Sequence, residues 1–405
     1  MRGIRQGVRG MKGPVAIVAT AGAIGIAGMS TAAQAQENKF DLSVAVVETY
    51  DSNILRFSEQ RTDGPTDNLS LAPRVMLDYN RRFARQRLFA NGYAGYVWND
   101  RYQFLNRQDI ALTGGAELRA GPRCRATPTA SFFQAQSDLE DLGALVRNVA
   151  TTQDYRVAVS CPRPAGFYPV GSVNYFRVDN SEIRRERDQS IREGRIGIAY
   201  ARPSLGDAQV FANFAAIRRQ RRIVTPDGPT QDVTQVNSFG MRLSRDVGTR
   251  IEAAAEIAYT TADPQIEQIP SFAGVTYSVD MSYRPISRFV LTAGAGRAVT
   301  GRGNLGTSYV VLRQASLGAR LTVSHRTSLG TRVQVAQRDY QGEDSIFAIR
   351  PRGSDTQVTA SGDIRYRLAK PVSLELSGRY RQRDAENDFY DYDSFAATLT
   401  AMLRI

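Results

Sequence analysis

From about residue 40 to residue 405 the chain alternates apolar and polar residues, stretch after stretch. In the last stretch Phe395, Ala397, Leu399, Ala401, Leu403 and Ile405 fall on one side, and Ala396, Thr398, Thr400, Met402 and Arg404 on the other. A strand sends successive side chains to opposite faces, whereas an amphipathic helix spaces its apolar residues three or four apart. The same period of two runs through 251–260, 275–284, 358–368 and 372–381. The connections between stretches alternate in length. The short ones (81–87, 121–125, 162–166, 203–207, 246–249, 284–288, 324–327 and 369–371) mostly carry Pro or Gly, as tight turns require. The long ones are 51–66, 99–106, 138–150, 179–188, 220–232, 262–272, 300–307, 341–353 and 384–390.

Eight short and nine long connections separate 18 strands, with 16 as the fallback count. Short turns on one side and long loops on the other, with an even strand number, are the layout of a transmembrane antiparallel β-barrel of the outer-membrane type. Such a barrel exposes no unpaired backbone to lipid, which an open sheet cannot achieve. Aromatics recur near strand ends (Tyr50, Tyr79, Tyr96, Trp98, Tyr200, Tyr259, Tyr283, Phe289, Tyr366 and Tyr380), where interfacial girdles belong. The rival fold, a secreted repeat protein, would show a constant motif period, and none is present. A mean hydropathy of −0.34 argues against helical spans and is compatible with a barrel, whose alternation keeps the average low.

The N-terminus reads as a secretory leader. Arg2, Arg5, Arg9 and Lys12 precede an uncharged apolar stretch at 15–28, and Ala33 and Ala35 flank Gln34 just before a cleavage point between Ala35 and Gln36. The apolar stretch is shorter than the roughly 20 residues that a spanning helix needs. The expected organisation is therefore a signal peptide at 1–35 and one barrel domain at 36–405, in the outer membrane of a Gram-negative bacterium. Loss of the leader removes four of the 52 cations and none of the 40 acids, which lowers the net charge from +12 to +8. The remaining cations are nearly all arginine. Codon bias is one explanation of that excess; an anionic partner is the other.

Little in the sequence points to catalysis. Cys124, Cys161 and His325 are the whole supply of thiol and imidazole, too little for a zinc site of Cys/His type. His325 falls in a short, periplasmic turn and reads as a surface residue. Gly301 to Gly306 matches G-x-G-x-x-G, but a strand follows where the dinucleotide fingerprint needs a helix, so the segment reads as an external loop. We expect no enzyme activity, no catalytic or metal residues and no cofactor. Cys124 and Cys161 flank short turns on neighbouring strands, which places both at the periplasmic rim. A disulfide is expected in that oxidising compartment, with two unpaired thiols as the alternative.

The polar faces of the strands supply pore-lining candidates: Arg195, Arg242, Glu252, Glu256, Asp280, Arg284, Arg320, Arg332, Asp363, Arg365, Arg367, Glu375, Arg379 and Arg381. Eighteen strands enclose room for water, so these charges either set a field across a pore that favours anions or merely solvate the interior. The loops at 51–66 and 220–232 are the longest segments available to fold into the lumen.

Residues 48–56 read Glu-Thr-Tyr-Asp-Ser-Asn-Ile-Leu-Arg, with Asp51 and Asn53 suited to an Asx-type turn where the chain leaves the membrane. With the barrel layout, this stretch resembles the outer-membrane β-barrel porin family found beside exopolysaccharide biosynthesis and export genes. The resemblance implies passage of a secreted polysaccharide through an Arg-rich lumen, with periplasmic polysaccharide-export proteins as partners. The barrel itself implies outer-membrane lipid and the β-barrel assembly machinery, and nothing implies nucleic acid. A small-solute porin and a structural or adhesion barrel are the competing functions.

Overall fold

The computed structural model describes residues 38–58, 61, 64–137, 147–225, 228–302, 307–342 and 353–405. The expected leader and its Ala35/Gln36 cleavage point lie outside the described residues, as do residues 303–306 of the glycine-rich segment. The described residues form 18 strands: β1 (Lys39–Asp51), β2 (Asn68–Phe83), β3 (Gln86–Asn99), β4 (Arg107–Ala120), β5 (Cys124–Gln136), β6 (Val149–Ser160), β7 (Gly166–Asp179), β8 (Gln189–Arg202), β9 (Gly206–Thr225), β10 (Gly228–Val247), β11 (Ile251–Pro264), β12 (Phe272–Ile286), β13 (Phe289–Thr300), β14 (Tyr309–Thr322), β15 (Thr327–Gln341), β16 (Ser354–Arg367), β17 (Val372–Ala385) and β18 (Tyr392–Arg404). Every strand pairs antiparallel with its sequence neighbours, and β1 closes on β18 in a register running from Ser43 opposite Arg404 to Asp51 opposite Ala396. No helix among the described residues is long and apolar enough to cross a membrane; the sheet crosses it instead.

The alternation sorts the side chains as the sequence reading expects. Val44 and Val46 of β1, Ile196 and Ile198 of β8, and Leu376 of β17 all stand on the outer wall with large exposed areas. In water such a surface would drive aggregation; in a bilayer it is the apolar band. Aromatic rings border that band at both ends. Phe40 meets Tyr79, and Phe167 meets Tyr200, on the short-turn side; Tyr96 meets Trp98, and Tyr155 stacks on Tyr175, toward the long loops. Interfacial rings of this kind place the apolar band between them.

The tight turns depend on backbone freedom. Gly206, at φ +92°, enters β9, and a Cβ there would lie 2.2 Å from the Ser244 carbonyl oxygen, so no other residue fits without movement. One connection departs from expectation. The segment at 220–232, expected to be a loop, is largely strand, because β9 continues to Thr225 and β10 begins at Gly228. Ile223, Val224 and Thr225 are β-branched and favour extended pairing once their neighbours supply a partner strand.

On the short-turn rim, Cys124 at the start of β5 is bonded to Cys161, just past the end of β6, with Cα atoms 3.9 Å apart. The ring it closes spans a sequence separation of 37. Chain-entropy arguments put the stabilisation from closing such a ring at up to about 4 kcal/mol. Reduction, or Cys124→Ser with Cys161→Ser, is expected to lower the urea midpoint of the vesicle-inserted barrel while leaving its β-content unchanged. Tryptophan fluorescence and circular dichroism read the two outcomes.

Candidate functional site

The lumen gathers most of the paired charges among the described residues. All fourteen charged residues singled out from the alternation lie on the inward strand faces, and the structure brings several together. Arg195 on β8 donates to Glu256 on β11 at 2.9 Å, and Arg242 on β10 reaches the same carboxylate at 3.3 Å. The Arg195 guanidinium also lies over the Phe211 ring, 3.4 Å from its centroid. Arg365 donates through Nε to Glu375 at 2.8 Å, and Arg320 lies 3.7 Å from Asp363. Glu252 stands opposite Ser282, Asp280 opposite Gly294, Arg332 opposite Ser361 and Arg367 opposite Ser373. Arg284 lies near the short-turn end of β12, and its backbone N–H donates to the Arg250 carbonyl.

Arg379 and Arg381 continue into a third inward arginine, Arg383, which was not singled out although the same period of two contains it. Successive inward residues on a strand are about 7 Å apart, so the three form a ladder toward the external end. Arg383 is held by the fully buried Asp355 of β16, donating from Nε at 2.7 Å. Arg338 Nε and the Tyr340 hydroxyl donate to the same carboxylate at 2.7 and 2.8 Å. Asp355 thereby fixes the top of the ladder. It was missed because it follows directly on a long loop, where alternation has barely begun. Further round the wall, on β2–β4, Arg74 donates to Asp109 at 2.6 Å and lies over Tyr93.

Two groups of loops lean into the external mouth. The first is built by the β1–β2 loop. Arg56, at φ +54°, turns back so that its guanidinium grips Asp51 through both nitrogens, at 2.8 and 2.7 Å, and donates to Ser394 Oγ at 2.9 Å. Asn53 donates to the Phe57 and Asp393 carbonyls at 2.8 and 3.1 Å and accepts from the Phe57 N–H. Thus the motif at 48–56 has a structural content: it is the anchor that folds this loop onto the inner faces of β1 and β18. Leu55 and Phe57 then pack on Leu105 of the β3–β4 loop. Arg61 is sandwiched between the rings of Phe57 and Phe389, at 3.8 and 4.2 Å from their centroids. Burial pulls the Arg61 proton affinity down, and Arg383 pulls in the same direction while Tyr390 opposes it.

The second group comes from the opposite side. Arg302, in the β13–β14 loop, donates to Asp154 on β6 at 3.1 Å and lies over the Phe176 ring of β7. The Arg302 side chain therefore reaches the far wall of the lumen. Beneath it the inner faces of β7–β11 turn apolar near the external end, with Phe176, Val178, Ile191, Ile217, Val236 and Ala262 clustered against Ile266 and Ile269 of the β11–β12 loop. The signal was in the sequence: these strands carry apolar residues in the register that is polar elsewhere. Among the described residues no group of His, Cys, Asp and Glu is arranged to hold a metal. His325 sits in the exposed β14–β15 turn, far from both loop groups.

A closed barrel with an apolar outer wall and a charged interior narrowed by its own external loops is an outer-membrane porin in architecture. Residues 175–404 match the family model described as "Putative beta-barrel porin 2", and the chain belongs to that family. It is an outer-membrane protein of a Gram-negative bacterium. Similar solved structures include a BenF-like porin from Pseudomonas fluorescens Pf-5, at 11% identity and TM-score 0.49, covering 91% of this chain and 99% of that one. Pseudomonas aeruginosa OccK2 (OpdF) is 11% identical with TM-score 0.48 over 91% and 100% of the two chains. Acinetobacter baumannii OccAB3 is 10% identical with TM-score 0.46 over 90% and 99%. Likeness of this order concerns barrel architecture alone. No curated protein matches the sequence.

The Asp51–Arg56 pair is the point at which the first loop can be released. Arg56→Ala leaves a buried carboxylate without its cation, a loss of about 3–5 kcal/mol for such a site. The expected result is a barrel that still inserts, with larger and noisier single-channel conductance and faster proteolysis within the β1–β2 loop.

Proposed function

We propose that the protein is a passive porin for small solutes, with a preference for anions. The observation that carries this reading is the combination of an inward arginine ladder, Arg379, Arg381 and Arg383, with an external mouth narrowed from two sides. A lumen bridged by Arg302 to Asp154 and lined at its mouth by the anchored β1–β2 loop suits a small solute better than a continuous polymer. The part-exposed Arg379 faces a passing anion, and the buried Arg381 and Arg383 stand behind it as fixed positive charge, Arg383 already paired with Asp355. A weak site lets a solute enter and leave, which conduction requires. Acids stand beside the ladder, as Asp355 and Glu375, and further round the wall, as Glu252, Glu256 and Asp280 on β11 and β12; Arg379 is the member of the ladder that stays part-exposed.

Export of an exopolysaccharide through the same lumen was the expectation drawn from residues 48–56. That motif is occupied in anchoring a loop, which leaves the polysaccharide reading without a structural feature of its own. A structural or adhesion role would need a lumen that does not conduct.

Planar-bilayer recording under a salt gradient tests the proposal. The wild-type reversal potential is expected on the anion-selective side, and Arg379→Gln with Arg381→Gln is expected to move it toward zero without closing the channel. A wild-type barrel that conducts no ions, or an unchanged reversal potential in the double variant, would overturn the reading. Loss of extracellular polysaccharide on gene deletion, with no conductance to small ions, would favour export instead.

A further inference from the structure

Outside the lumen, one stretch of the lipid-facing wall is chemically unlike the rest. Val173 of β7, Ile196 and Ile198 of β8, and Val210 and Phe214 of β9 all face lipid. Continuing each strand in the same register toward the long loops brings Arg177, Arg192 and Arg218 onto that outer face, and all three are exposed. Their arrangement is compact. Arg177 stands opposite Ser190, and Ser190 stands opposite Arg218, so the three share one row across β7, β8 and β9. Arg192 is two residues along β8 from that serine. Strands are about 4.8 Å apart and alternate residues about 7 Å, so three arginine side chains can meet over the Ser190 hydroxyl. Arg177 also pairs with Asp179 at 2.7 Å, while Arg192 and Arg218 have no ion-pair partner among the described residues. The opposite wall is the reverse at this level: Glu48, Asp384 and Asp393 face outward there.

A second observation lies next to it, on the neighbouring strands of the same wall. The outer wall of β3–β7 holds a groove of about 650 Å³. Gly114, Ala116 and Ala130 form its floor, Leu88 borders one side, and Val173 and the Tyr155 ring border the other. Tyr155 stacks on Tyr175 at 6.5 Å between centroids, and Tyr175 is two residues below Arg177 on the same strand. The groove and the arginine row meet at β7, where Val173, Tyr175 and Arg177 follow one another on the outward face of one strand. Arginine binds phosphate bidentately, and cations at a membrane surface attract anionic headgroups.

We propose that this wall holds a phosphorylated glycolipid of the external leaflet, its acyl chain in the groove and its phosphate among Arg177, Arg192 and Arg218. The inference is independent of what passes through the lumen.

The test uses the full chain purified from outer membranes into detergent and then stripped of lipid. Native mass spectrometry measures retention of added rough-type lipopolysaccharide. Wild type is expected to hold it, and Arg177→Gln with Arg192→Gln and Arg218→Gln to weaken retention on the order of a hundredfold. Arg81→Gln with Arg245→Gln, on the same outward face at the short-turn end, is expected to change nothing. Ala130→Trp fills the groove and is expected to weaken retention with the arginines intact. Should the triple variant fail to fold, judged by its heat-dependent gel migration, Arg192→Gln and Arg218→Gln singly are each expected to cost about fivefold. Equal retention by the triple variant, equal loss in the control, or equal binding of dephosphorylated lipopolysaccharide would overturn the proposal. So would displacement by inorganic phosphate, which would mark a simple anion site, and preference for phosphatidylglycerol, which would mark a general headgroup effect.

Discussion

The structure depends on one requirement: every backbone N–H and C=O that enters the bilayer must find a partner within the protein. A single-span strand cannot satisfy it, and an open sheet leaves two edges unsatisfied. The pairing of β1 with β18 removes both edges at once. Everything else follows from that closure. The alternation acquires an inside and an outside; the apolar half meets lipid, and many arginines and carboxylates of the spanning strands face a shared interior where they must neutralise or hydrate one another. The Arg195–Glu256–Arg242 group and the Arg338–Asp355–Arg383 group are the result of placing many charges on one concave wall.

Confinement also explains why the loops fold inward. A loop leaving the rim can turn to water or to the lumen, and the lumen offers partners. Arg56 finds Asp51 and Ser394, Arg302 finds Asp154 and Phe176, and Arg61 finds two rings. Each contact replaces hydration by a specific ligand, and the loops lose freedom at the mouth where a solute must pass. The interior is thus divided in function. The ion pairs between neighbouring strands stiffen the wall, and the loop anchors shape the entrance.

The barrel and its strand number were legible because period-two alternation and turn lengths are local properties. The inward positions of residues such as Arg242, Glu256 and Arg379 follow from the same arithmetic, since a strand in one register assigns every second residue. What the alternation does not contain is contact between distant strands. Nothing local ties Arg302 to Asp154, or Arg195 to a carboxylate three strands away; those pairs exist because the sheet curves back on itself. Residues 48–56 show the same limit. Their Asx geometry was readable, but the grip of Arg56 on Asp51 needs the chain to reverse at a residue in the left-handed region. The hairpin of β9 and β10 was misread for a related reason. Extended pairing there is decided by the partner strand, and each half alone resembles a polar loop.

The Cys124–Cys161 bond gives the wall its covalent stitch. Hydrogen bonds between strands can exchange partners one rung at a time, but β5 and β6 are now a single ring of chain. They can neither slide past each other by a register nor part company when the sheet opens. Any opening of the barrel wall, in assembly or under load, has to begin at some other pair of strands.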